Sequence, residues 1–263
     1  MKRCTYLLTA LLLWGVLTVP AGAAHRSVPV QADGKAVTSA AYVEQGVTYV
    51  PLRALLTALG GWEVWWDSGN GQAAAASQSG SLRADPAANT VTVSGRTLPG
   101  RVTVERGVTY VPLRLVCEAL GCRVEWDPYL GGAAVTSPGA AYDAGELYWL
   151  ARIIYAESGG ESITGQIAVG NVILNRVKSS QFPDTVEGVI FDRKDAVQFE
   201  PVSNGRVYLP PTSQSVEAAK RALDGENVVG SALYFYAPAL SQGTWINANR
   251  PYQQTIGCHR FYR

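Results

Sequence analysis

Histidine is almost absent from this 263-residue sequence, which contains only His25 and His259. Catalytic zinc sites in hydrolases usually take two or three ligands from histidine, and copper sites also depend on imidazole. The sequence therefore excludes the usual zinc amidase or peptidase, and we expect this protein to use neither a metal nor another cofactor.

Blocks of like charge are also absent. The net charge is +1, and the 22 lysines and arginines are scattered along the chain. Nucleic-acid-binding proteins need a basic stripe or patch, and binding to a membrane surface needs a similar cluster. We therefore expect no nucleic-acid partner, and charge alone identifies no other partner.

The sequence has only one long apolar run, which lies near its start. Residues Leu7–Val19 are largely apolar, Lys2 and Arg3 precede them, and small residues occupy 21–24. These are the three parts of a secretory signal peptide, and the run is shorter than the roughly 20 residues needed to span a bilayer. We predict that residues 1–24 are removed on export, which leaves a secreted or wall-associated protein without a membrane partner.

Cysteines are few, and Cys4 lies within the predicted signal peptide. In an exported chain, Cys117 and Cys122 could form a disulfide across a corner between a helix and a strand. Alternatively, both could be small buried apolar side chains. The sequence leaves this choice open, and Cys258 stays single in either case.

An internal repeat dominates the first half of the chain. The segment Val47–Asp67 returns as Val108–Asp127. Each copy has a strand-like tripeptide, a proline at the first turn of a helix (Pro51, Pro112), an apolar helical stripe, a glycine stop and a closing Trp-Asp. Neither copy is long enough to bury a core alone, so we predict that the two pack together as one α+β domain, residues 25–137.

The duplicated Val-Pro-Leu-Arg and Trp-Asp pattern resembles the stalk domain that is also called the copper amine oxidase N-terminal-like domain. The resemblance implies a non-catalytic module that spaces or attaches an extracellular enzyme. It does not imply copper, because the repeat region holds no histidine. We expect Arg53 and Arg114 to be helix residues that pair with the chain that follows them. What the domain binds is left open.

A second domain is predicted from 146 to 263, after a linker at 138–145 that is rich in small residues. Its first helix carries Leu147, Leu150, Ile154 and Glu157 on one face, because their spacings are three, four and three. A carboxylate thus ends an apolar stripe.

The position of Glu157 suits a general acid. Partial burial raises the pKa of a carboxyl group, and so does the negative end of a helix dipole. Glu161 would lie near the positive end of the next helix and should stay ionised. Two carboxyl groups with separated pKa values are typical of acid/base division. The alternative is that Glu157 lies at a frayed helix end and points into solvent.

Five motifs in order resemble the spore cortex-lytic, SleB/CwlJ-type cell-wall hydrolases. They are Leu150–Pro183, Gln198–Gly205, Val216–Leu223, Ala232–Pro238 and Ile256–Tyr262. The resemblance covers 146–263 and implies a lysozyme-like or lytic-transglycosylase-like α+β fold. It also implies peptidoglycan as the partner, a location in the cell wall or spore envelope, and Glu157 as the catalytic acid. The cleaved bond would be the one between N-acetylmuramic acid and N-acetylglucosamine.

Sugar contacts are expected from amides and aromatic rings. The resemblance implies Gln198, Asn204, Tyr236 and Trp245 near the cleft, as substrate-binding residues. Tyr234 and Tyr236 should share one face of a strand, with the phenylalanine between them on the other.

The reaction route depends on the number of carboxylates. A lytic transglycosylase needs only Glu157, which first donates a proton and then takes one from the muramyl 6-hydroxyl. A hydrolase needs a second carboxylate about 5–9 Å away. Glu161 is our candidate, although Asp192, Asp195 and Glu200 are not excluded. We favour the single-carboxylate route.

Two other functions would also use residues of the second domain. A cysteine peptidase that used Cys258 and His259 is disfavoured, because adjacent residues on a strand point to opposite faces. The alternative is a catalytically inactive wall-binding protein, against which Glu157 and Glu161 argue. The choice between spore cortex and vegetative wall is left open.

Overall fold

Two α+β domains make up the protein, and each has its own hydrophobic core. The computed structural model describes residues 25–37, 40–194 and 197–263, so the predicted signal peptide lies outside the described residues. The α+β class predicted from the sequence is confirmed. Among the described residues, no helix is long and apolar enough to cross a bilayer.

The N-terminal domain is built mainly from short strands. They are β1 (Arg26–Ser27), β2 (Val30–Ala32), β3 (Lys35–Ala36), β4 (Tyr42–Glu44), β5 (Val47–Pro51), β6 (Glu63–Asp67), β7 (Gln72–Ser77), β8 (Gly80–Asp85), β9 (Thr90–Val93), β10 (Arg96–Pro99), β11 (Thr103–Glu105), β12 (Val108–Pro112), β13 (Arg123–Asp127) and β14 (Gly132–Thr136). Helix α1 (Leu52–Leu59) follows β5, and α2 (Leu113–Ala119) follows β12.

The two repeats pair with each other through equivalent strands. Strands β5 and β12 are antiparallel, with Val50 opposite Val111 at the centre of the pairing. Because these two valines occupy the same position in their repeats, a local two-fold axis that relates the repeats passes between them. In the sheet order β1-β4-β5-β12-β11, the four strands β4-β5-β12-β11 have the same symmetry, and β1 extends the sheet at one edge. The prediction that the repeats pack as one domain is confirmed.

Local sequence explains where the repeat helices begin and end. Pro51 and Pro112 immediately precede the first helical residues. Proline has no backbone N–H, but at the start of a helix this N–H would have no partner within the helix, so no hydrogen bond is lost. Gly60 closes α1 with a φ of 80°, and Gly121 has a φ of 79° just after α2. Since few other residues adopt this left-handed conformation, glycine is the natural stop.

The cysteine alternatives are resolved in favour of free thiols. Cys117 and Cys122 are both buried and form no disulfide. The backbone N–H of Cys122 donates to the Cys117 carbonyl at 2.8 Å, which closes the corner after α2. Both side chains belong to the core of the N-terminal domain.

The C-terminal domain is mainly helical, with one small sheet. Its helices are α3 (Ala144–Ser158), α4 (Ile163–Val177), α5 (Val186–Ile190), α6 (Glu200–Ser203), α7 (Ser213–Leu223) and α8 (Thr244–Asn249), with a 3-10 turn at Arg206–Tyr208. The sheet has the order β15-β17-β16, formed by Tyr234–Tyr236, His259–Tyr262 and Tyr252–Ile256.

Helices α3, α4 and α7 pack against one another and form the core. Gly170 of α4 faces Ile154 of α3, and a Cβ at Gly170 would lie 2.9 Å from the Ile154 Cδ1. The absence of a side chain therefore lets the two helices approach closely. Ser162 caps α4 as its N-terminal residue, since its hydroxyl accepts from the backbone N–H of Gly165 at 3.3 Å.

The junction between the domains differs slightly from the predicted linker at 138–145. Helix α3 begins at Ala144, because the Asp143 side chain caps it by accepting from the Glu146 N–H at 3.0 Å. Asp143 also forms an ion pair with Arg123 of β13. The junction is thus tied to the repeat domain, and the irregular segment ends two residues earlier than predicted.

Candidate active site

Glu157 lies in the last turn of α3 and is partly buried. Burial raises the pKa of its carboxyl group from 4.5 to about 7. The positive charge of Arg206 acts against this rise, the negative charge of Glu200 adds to it, and Arg176 acts against it more weakly. The apolar stripe in the sequence predicted the burial correctly, and a frayed helix end pointing into solvent is excluded.

Arg176 of α4 supplies a buried positive charge close to this carboxyl group. Its Nε donates to the Leu233 carbonyl at 2.8 Å, and its Nη1 donates to Gln198 Oε1 at 3.3 Å. The guanidinium carbon also lies 4.8 Å from the centre of the Phe182 ring. Burial lowers the pKa of Arg176 to about 10, so the side chain remains charged at neutral pH.

Arg176 was not among the site residues predicted from the sequence, although a signal was available. Val169, Val172 and Ile173 precede it by seven, four and three residues and are fully buried. A charged residue thus continues an apolar helical face in α4, as Glu157 does in α3. The same pattern in two neighbouring helices points to one shared site.

The two predicted amide residues occupy different positions. Gln198 lies beside Arg176, as described above. Asn204 is exposed at the end of α6, and its Oδ1 accepts from the backbone N–H of Arg206 at 3.0 Å. Asn204 therefore shapes the turn that carries Arg206, whose charge acts on Glu157. Substrate contact by either amide stays a prediction.

Strand β15 presents its two tyrosines on one face and Phe235 on the other. Phe235 packs against the core residue Phe261, with ring centres 6.0 Å apart. Tyr236 is buried, and its hydroxyl bonds with the Asn247 side chain at 3.1 Å. Its hydroxyl is thus already engaged inside the domain, and a sugar contact by Tyr236 stays a prediction.

Tyr234, which the sequence analysis did not select, lies in a more open place beside Trp245. The two ring centres are 6.1 Å apart, and Trp245 is 56% exposed. The Arg250 guanidinium lies 4.4 Å from the Tyr234 ring and 5.2 Å from the Trp245 ring. Tyr234 also flanks Arg176, at 5.5 Å. An exposed aromatic surface therefore adjoins the site.

The Glu161 side chain reaches the turn between β16 and β17. Both of its carboxylate oxygens lie 3.4 Å from the backbone N of Cys258. Gly257 in this turn has a φ of 56°, a left-handed conformation that favours glycine, and a Cβ there would also meet the Glu161 carboxylate. The carboxylate thus supports the hairpin. Among the described acidic residues, Glu200 is the one whose charge raises the pKa of Glu157.

The remaining acidic candidates are less involved. Asp192 accepts from the backbone N–H of Lys194 at 2.9 Å, and its charge acts on Arg176 rather than on Glu157. Asp195 lies outside the described residues.

Cys258 and His259 do not form a nucleophile and base. Cys258 is exposed at the hairpin turn, and its contact with Glu161 raises the pKa of its thiol. His259 is buried in β17, where burial lowers the pKa of its imidazole. The two side chains face opposite ways, which excludes the cysteine peptidase arrangement.

Two exposed charged residues, Arg206 and Glu200, allow a test of how neighbouring charges act on the pKa of Glu157. Arg206→Met should raise the pKa of Glu157, and Glu200→Gln should lower it, because their charges act in opposite directions. An exposed ion pair contributes about 0.2–1 kcal/mol, and about 1.4 kcal/mol corresponds to one pH unit. The alkaline limb of the pH–activity profile should therefore move by about 0.1–0.7 pH unit, upward for Arg206→Met and downward for Glu200→Gln. Shifts in the same direction would contradict this assignment.

Comparison with known proteins assigns the two halves of the chain to different families. Residues 160–262 match the cell wall hydrolase family, and residues 31–132 match the copper amine oxidase N-terminal domain. Glu161 lies inside the hydrolase match, and Glu157 lies three residues before it. Both resemblances stated from the sequence are confirmed.

Several curated relatives align with this chain. The spore cortex-lytic enzyme of Bacillus cereus is 40% identical over 120 residues, which cover 46% of this chain and 45% of the relative. The enzyme of the same name from Oceanobacillus iheyensis is 37% identical over 131 residues, or 50% of this chain and 46% of the relative. The chain thus spans less than half the length of these relatives.

A solved structure also aligns with the chain. It is the catalytic domain of the germination-specific lytic transglycosylase SleB from Bacillus anthracis, which is 39% identical. The alignment covers 48% of this chain and 99% of that domain, with a TM-score of 0.43.

Proposed function

Because residues 160–262 belong to the cell wall hydrolase family, we propose that this chain is a peptidoglycan-cleaving enzyme with Glu157 as its general acid. The observation that carries the proposal is the partly buried position of Glu157 in the last turn of α3, which raises the pKa of its carboxyl group to about 7. A general acid works best when its pKa lies near the working pH, because both protonation states are then available. An ordinary exposed glutamate would be almost entirely ionised at neutral pH.

The proposed reaction begins with a proton transfer. Glu157 protonates the glycosidic oxygen between N-acetylmuramic acid and N-acetylglucosamine, while the bond from that oxygen to the muramyl C1 breaks. Positive charge develops on the sugar ring, and Glu157 becomes a carboxylate. The charges of Arg176 and Arg206, which favour the ionised form of Glu157, stabilise this carboxylate.

The second step restores the proton. The Glu157 carboxylate takes the proton from the muramyl 6-hydroxyl, whose oxygen bonds to C1 and closes a 1,6-anhydro ring. No other carboxylate is required. This lytic transglycosylase route is favoured over hydrolysis because Glu161 is engaged at the hairpin turn. If water attacks instead, Glu200 is the better placed second carboxylate, since its charge acts on Glu157.

Sugar recognition is assigned to the aromatic surface next to the acid. Trp245 is more than half exposed and lies beside Tyr234, so an indole face is available for a sugar ring. Gln198 and Asn204 supply amide groups from the segment around α6, and Tyr236 supports β15 from its buried position.

The proposal also includes where the protein acts. The apolar segment Leu7–Val19 supports export, and the name of the Bacillus cereus relative supports the spore cortex as the target wall. The N-terminal domain, residues 25–137, would hold the catalytic domain, residues 146–263, at the wall. No cofactor is needed for either chemical step.

Mass spectrometry of the released fragments tests the proposal. The mature protein would be incubated separately with purified cortex and with vegetative peptidoglycan, beside Glu161→Gln and Glu200→Gln. We expect 1,6-anhydromuramyl ends from the unmodified protein and from both variants. Reducing muramic acid ends that disappear with Glu200→Gln would overturn the anhydro route in favour of hydrolysis. A folded protein that releases nothing from either wall would instead support the inactive wall-binding alternative.

A further inference from the structure

Two grooves in the N-terminal domain have a common construction. The smaller, about 340 Å³, is lined by Arg53 and Trp66 of the first repeat together with Val108 of the second, and is called the Trp66 groove. The larger, about 1000 Å³, is lined by Arg114 and Trp126 of the second repeat together with Val47 of the first, and is called the Trp126 groove. Each groove thus combines the helix start and closing strand of one repeat with the hairpin of the other.

The grooves are equivalent residue by residue. All ten residues that line the Trp66 groove have their repeat counterparts in the lining of the Trp126 groove, and nine of the ten are the same amino acid. The exception is Trp65, whose counterpart is Glu125. The antiparallel pairing of Val50 with Val111 relates the two sites, so both grooves form only when the repeats have paired.

Large apolar side chains are exposed in both grooves. Trp66 is 47% exposed and Trp126 is 52% exposed, while Val47 and Val108 are 40% and 39% exposed. Equivalent positions therefore have nearly equal exposure. These side chains are not buried in the core of the domain, so core packing does not explain why large apolar residues occupy these positions. Contact with a ligand does explain it.

Positive charge accompanies the indole rings. Arg114 donates to Glu118 at 3.3 Å and to the Val124 carbonyl at 3.0 Å, as the sequence predicted for it. Arg53 is also a helix residue as predicted, but the predicted pairing is wrong for it, because Thr57 stands where Glu118 stands in the other repeat. Within the described ranges, Arg53 is exposed and makes no hydrogen bond or ion pair.

The Trp126 groove is also positive overall. Arg26, Arg96, Arg101 and Arg114 line it, against the carboxylates of Glu118 and Glu125 in the lining and of Glu44, which pairs with Arg101. Both grooves therefore place guanidinium groups next to an exposed indole. That combination fits a ligand that has a ring with an apolar face and a nearby carboxylate, because indole stacks on the ring and guanidinium binds the carboxylate.

We propose that the Trp66 and Trp126 grooves are two binding sites for peptidoglycan, outside the catalytic domain. A sugar ring stacks on Trp66 or Trp126, and a carboxylate of the attached lactyl-peptide group binds Arg53 or Arg114. Two equivalent sites fit a polymer that repeats the same unit, since a second contact with the same strand strengthens binding without new chemistry. The identity of the polymer rests on the proposed function of the catalytic domain.

Binding to purified, insoluble peptidoglycan tests this proposal. The full-length mature protein would carry Glu157→Gln throughout, so that the wall is not digested. Trp66→Ala and Trp126→Ala, alone and together, are compared with Leu240→Ala, which removes an apolar side chain that is 89% exposed. Because both tryptophans are exposed, circular dichroism melting should show that these variants fold as the parent does.

The double tryptophan variant should need a peptidoglycan concentration on the order of tenfold higher for half-maximal binding, and each single variant less. Leu240→Ala should bind as the parent does. Arg53→Gln should weaken binding to intact peptidoglycan and leave unchanged any binding to N-acetylglucosamine oligomers, which have the sugar rings but no carboxylate. Double-variant binding equal to that of the parent would overturn the proposal, as would equal losses with Leu240→Ala.

Failure of the proposed function is separable from failure of this inference. If the unmodified protein releases no fragments but the tryptophan variants lose binding, the grooves are wall-binding sites on an inactive protein. If fragments are released and the double variant binds normally, the catalytic proposal stands and the grooves serve another partner, which refutes the inference.

Discussion

Replacing Glu157 with glutamine is expected to lower the rate of glycan cleavage by about 10²–10⁴-fold, the usual contribution of a general acid. Glutamine keeps the size of the side chain and a hydrogen-bonding group, but it has no proton to donate to the glycosidic oxygen. The rate would be measured as the release of soluble fragments from purified peptidoglycan. Glu161→Gln is the matched control, because Glu161 is also a glutamate at a helix terminus but supports the β16–β17 turn.

The stability of the Glu157→Gln variant tests whether misfolding, rather than loss of the proton donor, causes the loss of activity. The pKa of Glu157 is raised from 4.5 to about 7 by folding, so the folded protein binds this proton more tightly than the unfolded chain does. Stability is therefore lost as pH rises from about 4.5 through about 7, and the full shift corresponds to about 3 kcal/mol. Glu157→Gln should be more stable than the parent at about pH 8 by up to that amount, and equally stable at about pH 4.

Two results would count against this assignment. Cleavage by Glu157→Gln within about tenfold of the parent would remove Glu157 as the acid. A loss of stability at alkaline pH would show that the carboxylate is needed for folding, so the activity loss would no longer report on proton transfer.

Replacing Trp149 with alanine is expected to cost about 3–5 kcal/mol of unfolding free energy, the usual range for a buried tryptophan. Trp149 is fully buried in α3, where its ring lies edge-on to Phe191 at 4.9 Å and to Tyr208 at 5.7 Å. Its Nε1 also donates to Asp127 Oδ2 at 2.7 Å. The substitution therefore leaves a cavity and removes a hydrogen bond between the two domains.

Urea unfolding followed by circular dichroism would measure the loss. Trp149→Phe separates the two contributions, because it keeps most of the ring and removes only the donor to Asp127, at a cost of about 1–3 kcal/mol. Trp126→Ala is the control for loss of an exposed tryptophan and should change stability by about 0.5 kcal/mol or less. A loss below about 1 kcal/mol for Trp149→Ala would mean that neither the packing nor the hydrogen bond is needed.

Asp127 shows how one repeat has acquired a role that the other lacks. Its counterpart Asp67 ends the first repeat and pairs with Arg83 at 2.9 Å on the surface. Asp127 instead receives the Trp149 indole from the catalytic domain. The sequence shows the same Trp-Asp ending twice, and only the neighbouring domain makes the two different.

Local patterns in the sequence were sufficient for several features of this protein. The repeat predicted two equivalent units, and the apolar stripe ending at Glu157 predicted a partly buried carboxyl group on α3. The stripe depends on the period of one helix, which neighbouring residues determine, and the repeat depends on the return of the Val47 segment at Val108. The family resemblances followed from ordered motifs and were confirmed.

The charged residues around Glu157 could not be predicted from local sequence patterns. Arg176, Glu200 and Arg206 act on Glu157 from α4, α6 and the 3-10 turn, and no local pattern specifies how these elements pack. The choice of Glu200 over Glu161 as a neighbouring carboxylate has the same origin.

The repeat sequence determined that the N-terminal domain would contain matching units, and the helical period determined that Glu157 would face the core. Tertiary structure alone decided that the two repeats build their grooves from each other's residues. The physical reason is range: helix and strand faces are fixed by adjacent residues, whereas burial, charge and groove shape depend on segments far apart in the chain.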